Sequence, residues 1–127
     1  MKISAISTSR PCLRQKKVEI LGLKNQKLIK ELKQLVQTIL AEKKSPGKTL
    51  SIIFVDNEYI RRLNRKYLKW NRITDVLAFP FENDFLGEVY VCRQRAKNQA
   101  KEYGLTEKEE IFRLVNHGVM HLLGFHH

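Results

Sequence analysis

Apolar residues recur along this chain with two different spacings, which predicts helices alternating with strands. From Asn25 to Leu40, leucine, isoleucine and valine return every three or four residues with lysine and glutamine between them. This spacing gives an amphipathic helix one apolar stripe, and residues 45–48 (SPGK) end it. Residues 50–55 (LSIIFV) are continuously apolar and rich in β-branched side chains, which predicts a strand buried on both faces.

The pattern continues to the end of the chain. Asp56 opens a short helix over residues 57–68, and residues 74–81 (TDVLAFPF) start an apolar strand that Pro80 must either end or leave at a sheet edge. Residues 86–91 alternate as a central strand. The inward-facing side chains of the short helix are predicted to be Ile60, Leu63, Asn64 and Tyr67.

Two further helices follow the central strand. Residues 93–103 are predicted to be helical, with Gly104 closing that helix. Thr106, with Glu109 three residues later, forms a capping box that begins the last helix. The buried side of that helix is predicted to contain Ile111, Leu114, Val115, Gly118 and Leu122.

Mixed strands and helices indicate a small mixed β-sheet covered by several helices, of class α+β, with α/β as the alternative. A chain of 127 residues with 43% apolar residues holds one hydrophobic core, so residues 1–127 are expected to form a single domain. Residues 2–6 are a candidate edge strand. No apolar run approaches the roughly 18 residues of a membrane span, so we expect a soluble, cytoplasmic protein that does not bind membranes.

The net positive charge of the protein comes entirely from the first part of the chain. Residues 1–74 contain 18 lysines and arginines against 5 acidic residues, whereas residues 75–127 contain 6 against 8. Such an excess attracts polyanions, of which nucleic acid is the most abundant in a cell, although a solubilising lysine-rich surface has the same composition. Cys12 and Cys92 form no C-x-x-C pair and are expected to be reduced thiols.

All four histidines lie in the last eleven residues, HGVMHLLGFHH. His117 and His121 are four residues apart on a helix, so both imidazoles can reach one ion. His127 cannot join them if the helix continues, but a left-handed Gly124 would end it and return the chain. Three imidazoles with a fourth position open to water are typical of a catalytic zinc site. A solvated helix face or the remnant of an affinity tag would give a similar pattern.

Gly118 follows the first histidine directly. A glycine at this position is expected to let another backbone approach the helix.

These residues resemble the signature of the YbeY-type rRNA maturation endoribonucleases, H-G-x-x-H-L-x-G-[YF]-D-H. The resemblance extends through LNRKYLKWNRITDVLAFPFE, LGEVYVC and RAKNQAKEYG, and covers residues 50–127 best. It implies one Zn²⁺ per chain on His117, His121 and His127, with His117 and His121 in the catalytic centre at the C-terminal helix. It further implies an RNA-cleaving hydrolase that acts in rRNA processing and ribosome quality control, with rRNA and ribosomal subunit proteins as partners.

The chain departs from the family pattern at two positions. His126 stands where the family usually has Asp, so a carboxylate that orients the site is missing. Leu68 stands where the family usually has the arginine that grips phosphate, and leucine cannot replace it. Arg65, Lys69 and Arg72 are candidate RNA-binding replacements. Arg72 is the first choice for a catalytic role, because it precedes Thr74 and Asp75, a polar pair expected at the sheet edge near the metal helix.

Three functions therefore remain open. The first is a zinc-dependent endoribonuclease in which zinc activates water or polarises a phosphoryl oxygen. The second is a non-catalytic, zinc-containing rRNA-binding or ribosome-binding factor, which Leu68 favours. The third is a metal-dependent hydrolase of small substrates, which leaves the basic first part unexplained. The absence of H-E-x-x-H argues against peptide hydrolysis and leaves the general base unassigned.

Overall fold

The computed structural model describes residues 18–45, 47–69, 72, 74–81 and 84–124. Its strands are β1 (Glu19–Leu21), β2 (Thr49–Val55), β3 (Val76–Pro80) and β4 (Phe85–Cys92), and its helices are α1 (Gln26–Glu42), α2 (Asn57–Leu63), α3 (Arg93–Tyr103) and α4 (Glu107–Leu122). A π-helical turn (Asn64–Leu68) extends α2. The expected edge strand at residues 2–6 lies outside the described residues, and β1 was not predicted.

The four strands form one mixed sheet in the order β1-β2-β4-β3. β1, β2 and β4 are parallel, and β3 pairs with β4 in the antiparallel direction. β3 therefore lies at the edge, as Pro80 predicts, because proline donates no hydrogen bond to a further strand. β4 lies inside the sheet and is buried from Gly87 onward. The expected α+β class with a small mixed sheet is confirmed.

Alternating side chains of β4 divide the interior into two parts. Val89 and Val91 belong to the larger core cluster, which also contains the buried faces of α1 and α4. Tyr90 and Cys92 point to the opposite face, where a smaller cluster forms under α2. This second face also buries Glu88, whose carboxylate accepts a hydrogen bond from the Tyr90 hydroxyl at 3.0 Å. Burial beside this carboxylate raises the pKa of Tyr90 well above its usual range.

Side chains cap the starts of two helices, at the predicted residue Asp56 and at Asn25, which was not predicted as a cap. The Asn25 side chain accepts from the Leu28 amide and the Asp56 side chain accepts from the Tyr59 amide, each satisfying an amide of a first helical turn. Gly104 ends α3 in the left-handed conformation. In the part of the chain that the structure describes, no helix is long and apolar enough to cross a membrane.

Candidate metal centre

The helix that carries the histidine pair is fixed by its own sequence. Thr106 and Glu109 form the predicted capping box, with hydrogen bonds of 3.1 Å and 2.8 Å between side chain and backbone. The predicted inward side is confirmed. Its four apolar side chains are at most 8% exposed, and Gly118 is also buried. Because this apolar side faces the sheet, the positions beside it are held at a fixed angle to the core. His117 and His121 occupy such positions and are half-buried.

His117 and His121 point their imidazoles at the same place. Their Nε2 atoms are 3.0 Å apart and their ring centroids are 4.6 Å apart. Two nitrogens bound to one zinc in tetrahedral geometry, at 2.0–2.1 Å each, are about 3.3 Å apart. The observed separation is within a few tenths of an ångström of that value. The pair can share a proton as a hydrogen bond, or present two lone pairs to one cation when both Nε2 atoms are deprotonated.

Gly118 places α4 unusually close to the sheet, but the expected backbone neighbour is wrong. A Cβ at Gly118 would lie 2.5 Å from Cγ1 of Val89 and 3.4 Å from Cγ2 of Val76. The groups that occupy the space of a side chain at this position are therefore valine methyl groups on β4 and β3. The close approach fixes the distance between the sheet and the helix immediately after His117.

Gly124 ends the helix as predicted. It has a φ of 92°, in the left-handed region, and its amide bonds to the His121 carbonyl at 3.0 Å. His127 lies outside the described residues, as does His126. Within the described ranges, no three histidine, cysteine, aspartate or glutamate side chains come together in a group that would hold an ion.

An ion pair between the buried Glu110 and the exposed Arg113 lies on the histidine side of α4 and was missed by the sequence reasoning. Glu110 is fully buried, and its two carboxylate oxygens accept from Nε of Arg113 at 2.9 Å and from Nη2 at 2.6 Å. These bonds raise the pKa of Arg113. Glu110 precedes His117 by seven residues, or two helical turns, so both lie on one stripe. This seven-residue spacing is the feature of the sequence from which the position of Glu110 on the histidine side could have been predicted.

The polar pair before β3 lies beside the same helix. The Asp75 carbonyl accepts from the Cys92 amide at 2.8 Å, which fixes Asp75 at the edge of the sheet. Its side chain accepts from Gln99 of α3 at 3.4 Å, and its charge contributes to the raised pKa of Arg113 on α4. Asp75 therefore lies at the sheet edge close to α4, the helix that bears the histidine pair, as expected. The contact with Gln99 was not predicted.

The candidate RNA-binding cations form an exposed segment that leads into β3. Arg65, Lys69 and Arg72 are all exposed, and Leu68 between them is half-buried. Lys69 ends the π-helical turn in the left-handed conformation, with a φ of 63°. Four residues after Arg72, Val76 packs near Gly118. The chain that follows the segment therefore reaches α4 at Val76, whereas Tyr67 within the segment packs on the opposite face of the sheet.

One buried side chain ties this segment to the body of the protein. Asn64 is 1% exposed, and its Nδ2 atom donates to the carbonyl of Arg72 at 2.9 Å. The expected single helix over residues 57–68 becomes wider at this point, because residues 64–68 form the π-helical turn. Asn64 and Tyr67 both face inward from this turn, with the Tyr67 ring edge-on to Phe79 at 5.6 Å.

The fold and the histidine pair define a class of small α+β proteins that carry two convergent imidazoles at the end of the last helix. The family model described as endoribonuclease YbeY matches residues 12–127. The chain therefore belongs to the endoribonuclease YbeY family, a family of RNA-cleaving metalloenzymes.

Individual relatives agree with this assignment. An endoribonuclease YbeY of Sulfurihydrogenibium sp. is 40% identical over 104 residues, covering 77% of this chain and 68% of the relative. That of Aquifex aeolicus is 36% identical over 120 residues, covering 90% and 80%. The solution structure of TM1509 from Thermotoga maritima is similar with a TM-score of 0.65 and 33% identity, over 87% of this chain and 74% of that one.

Proposed function

We propose that this protein is a zinc-dependent endoribonuclease that acts in rRNA maturation and ribosome quality control. The observation that carries the proposal is the 3.0 Å separation of the His117 and His121 Nε2 atoms, on a helix whose position against the sheet is fixed by close packing. Membership of the endoribonuclease YbeY family supports RNA as the substrate.

His117, His121 and His127 are the proposed ligands of one zinc ion. The two described imidazoles fit zinc, since nitrogen donors are among its preferred ligands and their spacing is close to that of a tetrahedral site. When bound, zinc supplies Lewis acidity toward a phosphoryl oxygen and lowers the pKa of a coordinated water to near 7. A set of three protein ligands leaves one position open for that chemistry.

The remaining proposed roles belong to the cationic segment. Arg65, Lys69 and Arg72 bind the RNA backbone beside the histidine pair and neutralise phosphate charge. Arg72 is proposed as the catalytic phosphate clamp in place of the family arginine at Leu68, because its planar guanidinium donates two parallel hydrogen bonds to a phosphate. The Asn64 bond to the Arg72 carbonyl supports this assignment, since it restrains the backbone that carries the guanidinium. Ribosomal subunit proteins are the proposed protein partners.

Removal of the metal tests the function directly. Protein stripped with a chelator is expected to cleave a structured rRNA fragment at least about a hundredfold more slowly than the zinc-loaded protein, because several kcal/mol of transition-state stabilisation are lost. Re-addition of zinc should restore the rate. Cleavage products are measured on denaturing gels from 5′-labelled RNA. Equal cleavage by the stripped and loaded proteins would contradict the metal-dependent mechanism.

The role of Arg72 predicts a separate effect. Arg72→Ala should lower cleavage by about tenfold or more while zinc content and melting temperature stay unchanged, because one charge-assisted contact of roughly 1.5 to 3 kcal/mol is lost. The matched control is Arg95→Ala, which removes an exposed arginine from α3. Single-turnover cleavage rates and elemental analysis measure the two properties.

The two variants distinguish a specific clamp from general charge. Equal losses in both would show that only net charge matters. Unchanged cleavage in Arg72→Ala would return Arg72 to an ordinary exposed residue and would favour the non-catalytic rRNA-binding factor.

A further inference from the structure

A second concave surface lies at the N-terminal end of α4, away from the histidine pair. A cavity of about 570 Å³ opens between the segment after β1 and the starts of α3 and α4. A smaller cavity of about 210 Å³ shares three of its lining residues and continues along α1. Together they form one surface, called here the α1–α4 groove, which is lined by Gly22, Leu23, Lys24, Asn25, Lys27, Leu28, Glu31, Arg93, Glu107, Lys108 and Ile111.

The rim of the α1–α4 groove is cationic. It contains four cations and two carboxylates, which leaves two positive charges in excess. The carboxylates pair with two of the cations, Lys108 with Glu31 at 3.0 Å and Arg93 with Glu107 at 3.6 Å. Such exposed pairs contribute about 0 to 1 kcal/mol each, so a bound phosphate can compete for both cations. Lys24 and Lys27 are exposed and supply the excess charge.

The remaining features of the groove also suit a nucleotide chain. Leu23 and Leu28, which are half-buried, contribute apolar surface between the cations, and this surface is suitable for contact with the flat face of a base. Helices α1 and α4 both begin at the groove, after the caps Asn25 and Thr106. The positive dipole end of α1, whose first turn contains no acidic residue, adds to the attraction for anions, whereas Glu107, Glu109 and Glu110 in the first turn of α4 offset the dipole of that helix. Lysines on the rim beside an apolar floor match the alternation of phosphate and base in single-stranded RNA.

The position of the groove relates it to the histidine pair. Lys108 and His117 are nine residues apart on the continuous helix α4, which places them about 14 Å apart along its axis and about half a turn apart around it. The axial distance alone corresponds to about four stacked nucleotides at 3.4 Å each, and the path around the helix adds to it. An RNA strand held at the histidine pair therefore reaches the groove more than four nucleotides from the reacting phosphate.

On the basis of the proposed function, we propose that the α1–α4 groove is a second RNA-binding site, which holds the RNA backbone more than about four nucleotides from the cleavage position. Lys24 and Lys27 bind its phosphates there, and the apolar floor contacts a base. The groove would give the enzyme a preference for RNA that is long enough to contact both the groove and the histidine pair.

The test compares two charge-removing variants on RNA of two lengths. Lys24→Gln/Lys27→Gln removes two groove cations, and Lys97→Gln/Lys101→Gln removes two exposed lysines of α3 that do not line the groove. Binding is measured by fluorescence anisotropy with a single-stranded RNA of about 15 nucleotides and with one of about three, which is too short to reach the groove. Both RNAs carry a non-cleavable linkage, so the measurement does not depend on catalysis.

The groove variant is expected to bind the long RNA about tenfold more weakly than the wild-type protein, with a slope of log K against log salt smaller by about 1.4, the value for two lost phosphate contacts. Its affinity for the short RNA should stay within twofold of the wild-type value. The α3 variant should bind both RNAs within threefold of the wild-type protein. Thermal unfolding checks that both variants are folded.

Three results would contradict the proposed RNA-binding role of the groove: equal loss of RNA affinity in the two variants, equal loss of affinity for both RNA lengths, or no loss of affinity in the groove variant. The first shows a diffuse charge effect. The second places Lys24 and Lys27 at the same RNA contact as the histidine pair. Failure of the wild-type protein to cleave any RNA would contradict the proposed function instead, and these binding measurements would still decide the groove.

Discussion

His117→Ala should abolish stoichiometric zinc binding and lower RNA cleavage by about a thousandfold. The substitution removes one of two imidazole nitrogens that lie 3.0 Å apart, and a single remaining helix ligand cannot hold the ion in the same geometry. Loss of the metal removes several kcal/mol of transition-state stabilisation, and about 4 kcal/mol corresponds to a thousandfold in rate. Zinc content is measured by elemental analysis of protein purified without nickel, and cleavage by single-turnover kinetics.

Asn116→Ala is the matched control for this prediction. Asn116 is an exposed neighbour on the same helix, so its removal tests the effect of a truncation on α4 without loss of a ligand. This control should keep full zinc content, and addition of zinc should raise its melting temperature as in the wild-type protein. Zinc content in His117→Ala equal to that of the wild-type protein would reject the site. Normal cleavage without zinc would reject the catalytic role of the metal.

The features that could be predicted from the sequence are those set by neighbours along the chain. Thr106 and Glu109 define the start of α4 through contacts three residues apart. The helical period then places His117 and His121 on one face, without information from the rest of the fold. Gly124 is similarly local, since a left-handed residue after a helix depends on the glycine itself.

The features that were missed depend on contacts between distant parts of the chain. β1 has only three residues and is a strand because it pairs with β2, which its own composition does not reveal. The contact of Asp75 with Gln99 requires β3 to lie beside β4, with α3 leaving from the end of β4. The identity of the groups that approach Gly118 likewise depends on strand order. A glycine predicts a close approach, but not which residue makes it.

Gly118→Val is expected to cost about 3 kcal/mol of unfolding free energy and to lower the melting temperature by roughly 10 °C. A Cβ at this position would already lie 2.5 Å from Cγ1 and 3.2 Å from Cγ2 of Val89, and valine adds two further methyl groups. Val89 is fully buried and cannot move aside without disturbing the core, so the overpacking is costly. Denaturant unfolding monitored by circular dichroism measures the change.

Gly118→Ala separates the two effects of a side chain at this position, which are the gain in helix propensity and the steric clash with Val89. Alanine favours a helix over glycine by about 1 kcal/mol, which offsets part of the clash of its single methyl group. We therefore expect a smaller loss than with valine, of about 1 kcal/mol. Val89→Ala should make room in either background, so the combined loss with Gly118→Val should be smaller than the sum of the separate losses by about 1 kcal/mol or more.

Gly118→Val should also displace the histidine pair relative to the cationic segment, the two parts of the proposed site. His117 and His121 share one helix, so their spacing survives a displacement of α4, whereas the cationic segment leads into β3, which begins at Val76 and pairs with β4. Under conditions where Gly118→Val is folded, cleavage should therefore fall by more than zinc content does, because the phosphate-binding arginine and the histidine pair are no longer aligned. Strictly additive unfolding energies with Val89→Ala, or a parallel fall of zinc content and cleavage, would show that the Gly118 contact does not set this alignment.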